Sequence, residues 1–86
     1  MSLTDDYNKA MEDLIDVATL CADQGMSLAA KYIAFRAHQL PREGLIATRD
    51  RLGLLIEISL GEEAAAYQMA HDALQRIITR GIGVVT

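Results

Sequence analysis

Tryptophan is absent from this chain of 86 residues, and cysteine and proline occur once each, as Cys21 and Pro41. One cysteine excludes an intramolecular disulfide, and no Cys/His cluster has zinc-like spacing. A domain of this length buries only about 60–65% of the surface of its unfolded chain, so its stability is marginal without help. The usual aids are a disulfide, a metal or association with other protein. The first two have no residues to support them, which leaves a homo-oligomer (a dimer) or another protein as the expected partner. Aromatic residues are scarce as well: Phe35, Tyr7, Tyr32 and Tyr67. Abundant aliphatic residues and alanine beside few aromatics are the composition of a helix bundle rather than of a sandwich of strands.

Other absences narrow the function. Asp5 and Asp6 stand where a secretory leader would carry positive charge. The longest uncharged apolar run is far short of the roughly 20 residues that span a bilayer. A cytoplasmic protein with no membrane contact is therefore expected. The glycines are too dispersed for a phosphate-binding loop, and no Gly-x-Ser-x-Gly or Gly-Lys-Ser/Thr motif occurs. Neither histidine follows a carboxylate by three positions, since Phe35 precedes His38 and Gln68 precedes His71, so the Glu-x-x-His pattern of di-iron bundles is missing. No enzymatic activity, no cofactor and no metal are expected.

Charge is present but unevenly spread. The net charge is −4. Asp5, Asp6, Glu12, Asp13, Asp16 and Asp23 crowd the start of the chain against Lys9, whereas Lys31, Arg36, Arg42, Arg49 and Arg51 dominate the middle against Glu43 and Asp50. An acidic first helix facing a basic segment across a bundle is one explanation. A basic contact patch for an acidic partner, formed by those five cations, is the other.

Periodicity predicts four helices. The first runs from about Asp5 to Gln24, with Thr4 as N-cap, two aspartates at the positive end of its dipole and Gly25 after its end. Tyr7, Met11, Leu14, Ala18 and Cys21 recur at spacings of four and three and form its apolar stripe, widened by Ala10 and Val17. Lys9 and Asp13 form an i,i+4 pair. The second helix runs from about Leu28 to Gln39, capped by Ser27, with Leu28, Tyr32, Phe35 and Gln39 in one row and alanines making one flank small. Pro41 disfavours helical geometry at Leu40, so a break is expected there, with Pro41 also suited to open the next helix. The third helix spans roughly Arg42 to Leu60 and carries Gly44 and Gly53 inside it; a strand over 54–60, from its alternation, is the competing assignment. The fourth runs from about Glu62 to Arg80, on Ala66, Met69 or Ala70, Ala73, Leu74, Ile77 and Ile78, with Gly81 as its stop and 82–86 as a loose tail. The expected fold is all-α, a single domain of four helices in two antiparallel αα-hairpins.

The segment 51–60 stands out because its apolar residues do not keep to one helical face, which calls for burial nearly all round. A short chain has few elements to supply that cover. Leu52, Leu55, Ile56 and Leu60 are therefore the predicted interface of a non-enzymatic interaction module: an adaptor, small regulator or chaperone-like subunit. The competing reading is a helix-turn-helix-like nucleic-acid-binding regulator using Arg42, Arg49 and Arg51, against which the acidic total speaks.

Overall fold

The computed structural model describes the backbone from Leu3 to Val85 and side chains from Asp5 to Arg80. Four helices follow one another: α1 (Leu3–Asp23), α2 (Ser27–Glu43), α3 (Leu45–Ile58) and α4 (Gly61–Val85). No strand occurs among the described residues, so the 54–60 alternation belongs to a helix and the link after it. α1 packs along α2 and α3 along α4, giving two hairpins, and α1 against α4 joins them. The molecule measures 39 × 21 × 18 Å, and α4 alone accounts for the long dimension at about 1.5 Å per residue.

The core follows the expected stripes on α1 and α4. Ala10, Leu14, Ala18 and Cys21 of α1 meet Ala66, Tyr67, Ala70, Leu74 and Ile77 of α4, with Ala29, Ala30, Ile33, Ala37 and Leu40 of α2 closing the third side. Met69, one of two alternatives for the α4 face, is exposed while Ala70 is buried. α2 is turned from its expected phase. Ala29, Ala30, Ile33, Arg36, Ala37 and Leu40 face inward, and Leu28 and Phe35 face out. Small alanines let α2 approach α1 closely, and the larger row is left on the outside. Tyr32 still reaches inward and meets Tyr67 edge-on at 6.0 Å.

Several expected boundaries move. α1 begins at Leu3, so Thr4 lies within the helix rather than capping it. Met26, not Ser27, occupies the N-cap position of α2, without a side-chain cap. The largest shift is at Pro41, which α2 carries inside it and passes by a further half turn. Arg36 explains how that last turn is held. Its Nη1 donates to both carboxylate oxygens of Glu43, at 3.0 and 2.8 Å, two turns along the same face. The break falls instead at Gly44, at φ 88° and ψ 165°, a region essentially reserved for glycine. Its N–H donates to the Leu40 carbonyl at 2.8 Å and ends α2, while its own carbonyl accepts the Thr48 hydroxyl at 2.8 Å and opens α3. Gly61, at φ 62°, starts α4 after Ser59 has closed α3. The backbone of α4 passes through Gly81, which does not stop it, and continues to Val85.

Candidate interaction surface

α3 is short and its apolar residues are spread round its axis, so no orientation buries them all. The structure divides them. Leu52 is fully buried, Leu55 and Ile56 are half-buried against the core, and Thr48 completes that inner side. Leu52 is thus a core residue of its own chain and not a surface for a partner. On the opposite side Ile46 is 56% exposed, Leu54 64% and Ile58 78%, and Leu60, in the link to α4, is 88% exposed. Of the four interface residues expected from sequence, only Leu60 is open. The expectation of burial nearly all round fails because α3 has one covered side: α4 flanks it, with the Gly53 backbone close to the His71 ring, and α2 touches it mainly near the Gly44 elbow. A helical wheel would have flagged Ile46, Leu54 and Ile58 together, had the inward side been known to be Thr48–Leu52.

The cations of the middle segment do not form one patch. Arg36 is 93% buried by its neighbours, at 7% relative exposure. Its guanidinium pairs with Glu43 and lies 4.6 Å from the centre of the Phe35 ring and 5.3 Å from that of Tyr32. Its Nε is buried without a hydrogen-bond partner. Arg51 reaches the same Glu43 carboxylate at 3.1 Å, so one acid on α2 holds one arginine of α2 and one of α3 and ties the elbow. Arg49 bonds Asp50 at 2.9 Å and Gln75 of α4 at 3.1 Å. Lys31 and Arg42 remain exposed on α2. The stretch 48–51 is therefore not an open basic face. Thr48 is in the core, and both arginines are engaged.

Lys9 and Asp13 form the expected pair at 2.9 Å, which pushes the Lys9 ammonium upward in pKa, first through that hydrogen bond. Asp72 is held below the usual carboxylate range, chiefly by the Gln68 amide and then by His71, whose Nδ1 lies 3.2 Å away. Both shifts favour the charge the group already carries at neutral pH. Cys21 sits in the core, and burial raises its thiol pKa, away from the reactive thiolate. An open cleft of about 460 Å³ runs between α1 and α4, lined by Lys9, Asp13 and Asp16 on one side and Asp72, Arg76 and Arg80 on the other. Its charges are of both signs, and no group of three or more His, Cys, Asp or Glu placed to hold a metal exists among the described residues. No described helix is long and apolar enough to cross a membrane.

Comparison with protein-family models, with curated proteins and with solved structures returns no match.

Proposed function

We propose that this chain is a non-enzymatic protein–protein interaction module, an adaptor, small regulator or chaperone-like subunit, that works through the outer face of α3. The observation that carries the reading is the row Ile46, Leu54 and Ile58, more than half exposed and extended by Leu60. Large apolar side chains scattered singly on a surface need no explanation, but Leu54 and Ile58 are one turn apart on this face with Leu60 just beyond, and Ile46 lies on the same row past Asp50. Asp50, Arg51 and Glu57 lie among and beside them. Such a mixture suits an apolar stripe of another polypeptide, with the charges setting its orientation rather than its affinity. Each leucine or isoleucine fully covered by a partner would contribute about 1.5–3 kcal/mol at most.

The test is capture of partners from native lysate with wild-type chain and with Leu54→Asp. Leu54 faces solvent, so the helical signal and melting temperature should be unchanged. A discrete polypeptide held by wild type and lost by the variant supports the reading. Equal capture by both, or none by either, counts against it. Leu55→Asp is not a suitable probe, because Leu55 packs against the core and its loss would unfold the chain.

A further inference from the structure

α1 and α2 present opposite charges outward, and the chain leaves them unmatched. Glu12 and Asp23 are exposed on α1, and Lys31 and Arg42 on α2. Among the described residues no ion pair engages any of these four. Lys9 is taken by Asp13, and Glu43 turns inward to Arg36 and Arg51. The helices are neighbours, yet their charged rows cannot meet. The covered sides, Ala10, Leu14 and Ala18 on α1 and Ala30, Ile33 and Ala37 on α2, face into the bundle and turn the charged rows away.

Because the two helices run antiparallel from the turn at Gly25, residues equally far from it stand at similar heights. Glu12 is level with His38, Ile15 with Phe35 and Thr19 with Lys31. We infer that a second copy of this chain covers this hairpin, with the twofold axis running along the helices. A hairpin can stack face to face on its own copy in two symmetric ways. A twofold across the helices sets α1 on α1 and α2 on α2, acid on acid and base on base. A twofold along them sets α1 of each copy antiparallel on α2 of the other at unchanged heights, so that the acidic row meets the basic row twice, Arg42 about one helical turn from Glu12 and Lys31 about one turn from Asp23. Charge selects the second. Ile15 and Phe35, both exposed, then lie at mid-height and supply an apolar centre between the charged pairs. Two helices of about 25 Å by a combined width of about 20 Å offer a footprint of about 500 Å² on each copy, below the roughly 800 Å² of accessible surface per partner in an ordinary interface and of the size of a weak, salt-sensitive contact. The arrangement is isologous and closed, so it stops at the dimer.

This inference uses a different surface from α3 and does not rest on the reading given above for it. The experiment is sedimentation velocity over a range of concentration and salt. Wild type should dimerise at low salt, and dimerisation should weaken as salt rises. Lys31→Glu with Arg42→Glu makes both rows acidic, and Glu12→Lys with Asp23→Lys makes both basic. Each double variant alone should self-associate at least tenfold more weakly, and an equal mixture of the two should recover the dimer mass. All four positions are exposed, so circular dichroism should show unchanged helicity. A wild type that stays monomeric, a dimer indifferent to both reversals, or a mixture that fails to recover would overturn the inference. A dimer lost in Leu54→Asp but kept in both reversals would also overturn it, while leaving the α3 surface as a contact site.

Discussion

Replacing Glu43 by glutamine isolates the interaction that holds the elbow between the two hairpins. Glu43 accepts two hydrogen bonds from Arg36 and forms an ion pair with Arg51. Arg51 is more than half exposed and can turn to water. Arg36 cannot, because its side chain is only 9% exposed and its Nε already lacks a partner. Removing one member of a buried pair costs about 3–5 kcal/mol when the other stays buried and charged. Two features reduce that figure here: Glu43 is itself partly solvated, and the Phe35 and Tyr32 rings lie against the guanidinium. A loss of about 2–3 kcal/mol is the expected outcome, or about 10–20 °C in melting temperature for a domain of this size. The companion variant is Arg36→Met with Glu43→Gln, which removes the charge together with its partner and keeps an apolar stem. It should lie within about 1 kcal/mol of wild type, because replacing a buried pair by packed apolar groups is often neutral. Urea unfolding followed by circular dichroism gives both numbers. A Glu43→Gln chain within about 0.5 kcal/mol of wild type, or a double variant worse than the single, would refute the claim that Arg36 depends on this carboxylate.

Three further outcomes follow from the backbone and the core. Gly53→Ala should stabilise the chain by about 0.5–1 kcal/mol, since a Cβ there would meet the His71 ring at 3.7 Å, an ordinary contact, and alanine is the better helix former; a loss of stability in the same urea titration would contradict this. Gly44→Ala should cost about 1–3 kcal/mol because its φ of 88° with ψ of 165° strains any side chain, and the nearest atom, the Tyr7 hydroxyl at 4.0 Å, leaves room, so melting should show strain and not crowding. Cys21 should resist a thiol reagent in the native state and react fully in guanidinium; fast native labelling would show that the α1–α4 contact opens readily.

The stripes of α1 and α4 were legible because leucine, isoleucine and alanine recur there at helical spacing and the acids keep to the other side. Cys21 as a core residue and the Lys9–Asp13 pair followed from the same wheel. α2 was harder. Its buried face is mostly alanine with an arginine, while leucine and phenylalanine look outward, so hydrophobicity alone selects the wrong phase. Nothing local reveals that Arg36 will be buried, because its cover depends on Glu43 two turns later and on Arg51 in the next helix. Pro41 looked like a break since proline usually ends a helix, but α2 runs two residues past it, and the Arg36–Glu43 pair ties the turn before it to the turn after it. In α3 the presence of too many apolar residues was visible, whereas the side they would leave open was not. That side is fixed by contacts with α4 far along the chain, which put Leu52 inside and Leu54 outside.

The central claim is that the outer face of α3 meets another polypeptide, and a photo-crosslinking amino acid at position 54 tests it most directly. Installed at Leu54 and, as a control, at the exposed Thr79 of α4, it should give an adduct of discrete mass at 54 and none of that mass at 79 on irradiation in cells. Absence of an adduct at 54, or the same adducts at both positions, would contradict the account.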